Sequence, residues 1–160
     1  MAKVILICGR LCCGKSTYAE KLCSSGKTVL LSVDEIMLRL FGQHCGDRHD
    51  EYTLRVKEYL TEKAVQLINA DVNVVFDWGF WLKSERQYVK RFFDSRNIPC
   101  ELHFINVCDD EWKHRIKKRN QDVLSGKTEA YYVDDNLLAK LELLFEPPDG
   151  CEIDVIADAD

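Results

Sequence analysis

Eight residues near the N-terminus limit the possible folds more than any other part of the chain. Gly9–Ser16 reads GRLCCGKS, which fits the pattern Gly-x-x-x-x-Gly-Lys-Ser/Thr. The apolar run Val4–Cys8 before it is typical of a buried strand, and Lys15–Cys23 after it has helical spacing. Glycines here let backbone N–H groups surround an anion, and the helix adds the positive end of its dipole. The pattern predicts a phosphate-binding loop, or P-loop, and with it a nucleotide site.

The residue types around the P-loop predict separate roles. Lys15 is expected to reach the β- and γ-phosphates, and the hydroxyl of Ser16 is expected to bind Mg²⁺. A second magnesium ligand is predicted at Asp77, because it ends the apolar run Asn73–Asp77 and so fits the Walker B pattern. The residues expected to bind the nucleotide are Gly9, Cys12, Cys13, Gly14, Lys15, Ser16 and Thr17.

Apolar runs alternate with helical patterns along the rest of the chain. The predicted strands are Lys3–Cys8, Thr28–Val33, Asn73–Asp77, Glu101–Val107 and Glu152–Ile156. The predicted helices are Lys15–Cys23, Asp34–Phe41, Asp50–Ala70, Lys83–Asn97, Asp109–Val123 and Asp134–Phe145. Strands that alternate with helices pair in parallel through right-handed crossovers. The predicted fold is therefore α/β, with three layers and a mostly parallel sheet of about five strands, in one domain over residues 1–160.

Composition and charge exclude several classes of protein. The longest apolar run near the N-terminus has five residues, too short for a signal peptide or a membrane helix. The net charge of −5 argues against a protein that binds nucleic acid along its phosphate backbone. Without a secretory signal, the eight cysteines are interpreted as reduced thiols. We expect a cytoplasmic protein with no membrane contact, whose partner is a small molecule rather than nucleic acid.

A carboxylate at the end of the second predicted strand has two possible roles. Asp34 follows Ser32-Val33, and ligands of an open α/β sheet lie beyond the carboxyl ends of its strands. Asp34 could therefore accept a proton from an attacking hydroxyl as a general base. It could equally cap the helix that begins at Glu35. The residues alone leave both alternatives open.

Several elements taken together, in chain order, resemble a known group of enzymes. These elements are the P-loop, Ser32-Val33-Asp34 with Arg39, Asp77-Trp78-Gly79-Phe80-Trp81 with Arg86, and Arg115 with Arg119-Asn120. They resemble the zeta-toxin-like, polynucleotide-kinase-like and chloramphenicol-phosphotransferase-like P-loop kinases, and small bacterial predicted kinases of the AAA type. The resemblance covers nearly the whole chain. It implies an adenylate-kinase-like P-loop NTPase fold, a lid around residues 113–130, and ATP and Mg²⁺ as cofactors. It also implies phosphoryl transfer to a hydroxyl, with Asp34 as the base.

The resemblance implies that arginines of the lid neutralise the transferring phosphoryl group. Arg119-Asn120 matches the Arg-Asn pair of the lid. The polynucleotide-kinase pattern has a second arginine four residues later, where this sequence has Val123. Arg115 and Lys127 are the candidates to replace it, and a catalytically weaker lid is the remaining alternative. Arg115 and Arg119 are therefore predicted as catalytic residues.

The acceptor is expected to be a small molecule with a hydroxyl group. Arg39, Trp78 and Arg86 are the predicted acceptor contacts, although aromatic residues such as Trp78 more often belong to a protein core. The function predicted from these features is an ATP-dependent phosphotransferase. The alternatives are an ATP-binding or ATPase module that serves a partner, and a polynucleotide 5′-hydroxyl kinase.

Overall fold

A computed structural model describes residues 1–24 and 26–157, so residues 158–160 of the predicted domain lie outside the described part. The strands are β1 (Val4–Cys8), β2 (Thr28–Leu31), β3 (Asn73–Gly79), β4 (Cys100–Ile105) and β5 (Val155–Ala157). The helices are α1 (Lys15–Cys23), α2 (Val33–Phe41), α3 (His49–Asn69), α4 (Lys83–Asp94), α5 (Asp109–Leu124) and α6 (Asp135–Leu144). A 3₁₀ turn, Gly46–Arg48, precedes α3.

The five strands form one parallel sheet in the order β2-β3-β1-β4-β5. The central strand β1 pairs with both neighbours, so Leu6 lies between Phe76 of β3 and Leu102 of β4. The register of β1 and β3 shifts near their carboxyl ends, where Cys8 pairs with Gly79. This confirms the predicted sheet, and it places the P-loop and the ends of β2 and β3 at the same edge.

The side chains of β1 alternate between two apolar layers, as expected for a strand covered on both faces. Leu6 and Cys8 pack in the larger core with residues of α2, α3 and α4. Ile5 and Ile7 pack on the opposite face with Ala19 of α1. Among the described residues, no helix is both long and apolar enough to cross a membrane.

Several predicted boundaries differ from the observed ones: β2 ends at Leu31 rather than Val33, and β4 ends at Ile105 rather than Val107. Three other differences have identifiable reasons. The strand predicted to end at Asp77 continues to Gly79, because Gly79 still pairs with β1. The helix predicted to reach Asn97 ends at Asp94, and Asn97 adopts a left-handed conformation with φ 55°. The last strand occupies Val155–Ala157 rather than 152–156, since the residues just before it use their side chains to bind neighbouring elements instead of a strand ladder.

Candidate active site

The P-loop leaves no room for a side chain at its first glycine. A Cβ atom on Gly9 would lie 2.5 Å from Cys13 Sγ and 2.7 Å from the carbonyl oxygen of Ile105. Gly14 precedes α1 with φ 102°, and Cys12 also has a positive φ of 59°. The loop is therefore a tight backbone turn that delivers the chain into the first turn of α1.

Two tryptophan side chains hold the P-loop by its backbone carbonyls. Trp81 Nε1 donates a hydrogen bond of 3.1 Å to the carbonyl oxygen of Gly9, and Trp112 Nε1 donates one of 2.6 Å to that of Leu11. The first contact depends on Gly79. This residue has φ 86°, and a Cβ atom at its position would lie 2.6 Å from Trp81 Nε1. The absence of a side chain at the last residue of β3 thus lets the indole fold back onto the loop.

The lysine, serine and aspartate of the predicted nucleotide site come together. Lys15 Nζ donates hydrogen bonds to the carbonyl oxygens of Gly9 (3.2 Å) and Arg10 (2.7 Å). Ser16 Oγ donates to Asp77 Oδ2 across 2.9 Å. A hydroxyl and a carboxylate are hard oxygen ligands of the kind that Mg²⁺ prefers. These two potential metal ligands lie beside a loop in which Gly9 leaves no room for a side chain. The arrangement suits a magnesium–nucleotide complex.

Asp34 does not cap α2, so this alternative is wrong. Ser32 is the cap, because its side chain accepts a 3.3 Å hydrogen bond from the backbone N–H of Glu35. Asp34 lies in the first turn of the helix, with its carboxylate accessible to solvent on one side. Crowding by protein atoms on the other side and the charge of Asp77 raise its pKa.

Arg119, Lys15 and His49 act against this rise in the pKa of Asp34. The carboxylate therefore lies within electrostatic range of the P-loop lysine, the Walker B aspartate and the predicted lid arginine. Asp34 and these three residues come from four different elements: α2, α1, β3 and α5. A raised pKa beside a phosphate-binding loop is typical of a group that takes up a proton during a reaction.

Both predicted lid arginines reach the P-loop from α5. Arg115 Nη1 donates to the carbonyl oxygen of Cys13 (3.0 Å), and Arg119 Nη1 lies 3.7 Å from Cys12 Sγ. Arg119 Nε also donates to the carbonyl oxygen of Tyr131 (3.3 Å). The other candidate, Lys127, is 74% exposed and lies 4.0 Å from Asp122. Of these two candidates, Arg115 contacts the P-loop, whereas Lys127 lies near Asp122.

The segment between α5 and α6 is fastened at two points. Asn120 exchanges two hydrogen bonds with the backbone of Val133, at 2.7 and 2.9 Å. Gln43, just after α2, donates to the carbonyl oxygen of Ala130 (2.9 Å) and accepts from the backbone N–H of Tyr132 (3.4 Å). These contacts hold the segment over the cleft between α2 and the P-loop.

The predicted acceptor residues are not gathered in one place. Arg39 lies on the exposed face of α2, paired with Glu35 at 3.1 Å. Arg86 is 3% exposed and forms a two-point ion pair with Glu152, both distances being 3.1 Å, while Nη1 binds backbone carbonyls. Trp78, which follows Asp77 in β3, is 8% exposed and packs in the larger core. The structure brings neither Arg39 nor Arg86 to the cleft.

Sequence reasoning missed the residues that support the site. Trp81 carried a usable signal, because a glycine two residues before an aromatic side chain at a strand end suggests a close approach. Trp112 and Gln43 had no such signal, since each acts through a backbone carbonyl on a distant part of the chain.

Comparison with known protein families gives one match. A sequence model of the family described as AAA domain matches residues 4–148 of the chain. A search among curated proteins finds no match.

Solved structures with this fold include several kinases. A sugar kinase from Janibacter sp. HTCC2649 is 16% identical with a TM-score of 0.64, over 99% of this chain and 86% of that one. The APS kinase CysC of Mycobacterium tuberculosis, solved with AMPPNP and APS, is 18% identical with a TM-score of 0.63, over 99% and 89%. A chain of the Pnkp1/Rnl/Hen1 RNA repair complex is 18% identical with a TM-score of 0.69, over 89% and 43%. These similarities confirm the kinase-like P-loop fold.

Proposed function

The chain belongs to the AAA-domain family that matches residues 4–148, and on this premise we propose that it is an ATP-dependent phosphotransferase. It moves the γ-phosphoryl group of ATP to a hydroxyl of a small molecule. The observation that carries the proposal is Asp34, a carboxylate in the first turn of α2 whose pKa is raised by burial and by the charge of Asp77 and lowered by the charges of Arg119 and Lys15. A module that only binds nucleotide has no use for such a carboxylate.

The P-loop supplies the nucleotide side of the reaction. The backbone of Gly9, Cys12, Cys13, Gly14 and Thr17 surrounds the phosphates, and Lys15 exchanges its loop carbonyls for phosphate oxygens. Ser16 and Asp77 would hold Mg²⁺. The metal would supply neutralisation of charge on the β- and γ-phosphates.

The chemical step uses Asp34 and the two arginines of α5. Asp34 accepts the proton of the acceptor hydroxyl while that oxygen forms a bond to the γ-phosphorus. The bond from the γ-phosphorus to the bridging oxygen breaks, and ADP leaves with the electron pair. Arg119 and Arg115 stabilise the charge that spreads over the transferring group, and we propose that they belong to a lid around residues 113–130.

The acceptor enters from the side of α2 and α3. Trp78 is the predicted contact residue that lies beneath this side, since it follows Asp77 in β3 and packs against α2 and α3. Arg39, exposed on α2 and paired with Glu35, and the buried Arg86 have no part in binding in this proposal. The fold shared with a chain of an RNA repair complex makes a 5′-hydroxyl oligonucleotide the second acceptor to test.

The experiment follows the fate of the γ-phosphate. The protein is incubated with γ-labelled ATP, Mg²⁺ and neutral sugars, nucleosides, aminoglycosides and a short 5′-hydroxyl oligonucleotide, with Lys15→Ala as the inactive control. We expect label on an organic acceptor in a reaction that needs Lys15. Label that appears only as inorganic phosphate would instead support an ATPase that serves a partner.

A further inference from the structure

Among the residues that the structure describes, three buried side-chain atoms have no hydrogen-bond partner. They are Thr53 Oγ1, Trp78 Nε1 and Tyr131 Oη. Trp78 is 8% exposed, so its N–H group is shielded from solvent almost completely. A buried donor or acceptor without a partner carries an energetic cost, and proteins keep such groups where a ligand satisfies them.

Two ring contacts connect the residues that carry these atoms to one face of α3. His49, Thr53 and Lys57 follow one another at intervals of four residues and so share one face of α3. At one end of this face the ring of His49 meets that of Tyr131, with centroids 6.2 Å apart. At the other end Lys57 Nζ lies 6.0 Å from the ring centroid of Trp78. Thr53 is the middle one of these three helix residues.

Asp34 connects this face to the proposed chemistry. Its charge is among the causes that raise the pKa of Tyr131, and the charge of His49 acts in turn on Asp34. The unpartnered hydroxyl of Tyr131 therefore lies near the carboxylate that we propose as the base. Tyr131 also carries the carbonyl oxygen that Arg119 binds. An acceptor held against this face reaches both groups.

A second threonine of α3 shows that the unpartnered hydroxyl of Thr53 is not a general property of this helix. Thr61 Oγ1 donates a 2.7 Å hydrogen bond to the carbonyl oxygen of Lys57, four residues earlier. This bond is the usual solution for a threonine inside a helix. Thr53 does not use it, so its hydroxyl is left for another partner.

Three cations beside this face are paired with carboxylates. Arg39 pairs with Glu35 (3.1 Å) and Arg48 with Glu51 (2.9 Å), and Lys57 forms an ion pair with Glu85. His49, a further basic group of this face, lies 3.4 Å from Asp50 Oδ1. These pairs reduce the positive charge available to a carboxylate, sulfate or phosphate on the acceptor. The cations on the side of the P-loop, Lys15, Arg115 and Arg119, are those that the proposal assigns to ATP and to the transferring phosphoryl group.

We propose that Thr53, Trp78 and Tyr131 form the acceptor subsite, and that the acceptor is an uncharged polyhydroxyl compound. This inference rests on the proposed phosphotransferase function. The indole N–H of Trp78 can only donate, so it faces an oxygen of the acceptor, while the hydroxyls of Thr53 and Tyr131 can donate or accept. A sugar, polyol or nucleoside with neighbouring hydroxyls satisfies all three atoms.

The first test compares stability with acceptor binding in matched variants. Thr53→Val and Tyr131→Phe remove an unpartnered hydroxyl, so thermal unfolding without acceptor is expected at an unchanged or higher temperature. Thr61→Val removes a hydroxyl that is bonded, so its unfolding temperature is expected to fall. A structural role for Thr53 would make it behave like Thr61, and this result would overturn the inference.

The second test uses pairs of acceptors that differ in charge. Sorbitol is compared with gluconate, and adenosine with AMP, in the labelled-ATP assay. We expect label on an uncharged member and not on its anionic counterpart, with KM for that acceptor raised about 5- to 100-fold in Thr53→Val and Tyr131→Phe. KM for ATP should be unchanged, and the exposed Tyr132→Phe should behave like the unmodified protein.

The two tests separate failure of this inference from failure of the proposed function. Label found mainly on gluconate or AMP would overturn the uncharged acceptor and leave the phosphotransferase intact. Transfer with an unchanged acceptor KM in both variants would overturn the assigned subsite. Label found only as inorganic phosphate with every acceptor would overturn the phosphotransferase itself, and the acceptor inference with it.

Discussion

Ser16 Oγ lies 2.9 Å from Asp77 Oδ2, which joins the first turn of α1 to β3 across 61 positions of sequence. The hydrogen bond holds two oxygen ligands together at the mouth of the P-loop. Both side chains can bind a divalent cation with little change in conformation. The P-loop motif and the Walker B pattern, found separately in the sequence, therefore meet at one point in the fold.

Ser16→Ala should weaken nucleotide binding only when magnesium is present. The variant keeps the P-loop backbone and Lys15 but loses one oxygen ligand. Calorimetric titration with ADP should show affinity reduced by about tenfold or more with Mg²⁺ and little changed with EDTA. Ser24→Ala, at the other end of α1, is the control. Equal losses with and without metal would contradict the assignment of Ser16 as a ligand.

Gly79→Ala should destabilise the protein and loosen the P-loop together. The new Cβ meets Trp81 Nε1 at 2.6 Å, so the indole must leave its contact with Gly9. Gly126→Ala is a matched control, because Gly126 also has a positive φ (71°) but nothing lies within 4 Å of its Cβ position. We expect Gly79→Ala to cost about 1–3 kcal/mol more in unfolding free energy than Gly126→Ala. Equal costs would show that the indole contact is dispensable.

Arg86 is predicted to act in stability and not in acceptor binding. Arg86→Met removes the partner of the largely buried Glu152 carboxylate. This should lower the free energy of unfolding, measured with denaturant, by about 3–5 kcal/mol. The double variant with Glu152→Met should recover part of this loss. Any residual transfer activity of the double variant should show an unchanged KM for the acceptor. A raised KM at recovered stability would restore Arg86 as an acceptor contact.

The Arg86 pair also makes a prediction about acid stability. Hydrogen bonding to Arg86 lowers the pKa of Glu152, so the folded state favours the charged carboxylate. The resulting stability is present above the unfolded pKa of a glutamate and is lost as pH falls through the lower folded value. The difference in unfolding free energy between the unmodified protein and Glu152→Gln should therefore shrink on acidification. A difference that stays constant with pH would contradict this linkage.

The fold was largely predictable, because the apolar spacing within each segment indicates whether it forms a strand or a helix. The boundaries of α1 were predicted exactly as they occur, since a P-loop glycine precedes the helix and the apolar spacing ends at Cys23. The P-loop, Lys15, Ser16 and Asp77 form a motif whose geometry follows from its spacing. The roles of Arg86 and Trp112 could not be predicted, because each depends on residues more than 60 positions away. Long-range partners leave no periodic trace in a sequence.

Asp34→Asn should increase stability at neutral pH. The pKa of Asp34 is raised in the folded state, so the folded state binds more protons than the unfolded state. The free energy of unfolding therefore falls as pH rises, first through the ordinary carboxylate pKa and then through the raised pKa of the folded state. The amide removes this penalty. Thermal unfolding should therefore occur at a higher temperature in Asp34→Asn than in the unmodified protein above that range, and the difference should vanish in acid. Glu35→Gln, on the same helix turn, should show no such gain.

The most direct measurement of the account is the rate of phosphoryl transfer in a single turnover, with enzyme in excess over γ-labelled ATP and a saturating acceptor. Asp34→Asn and Glu35→Gln are compared with the unmodified protein, and ATP affinity is measured in parallel. We expect Asp34→Asn to lower the transfer rate by about 10²- to 10⁴-fold at unchanged ATP affinity, while Glu35→Gln keeps it. Equal transfer rates in all three proteins would contradict Asp34 as the general base and, with it, the central claim.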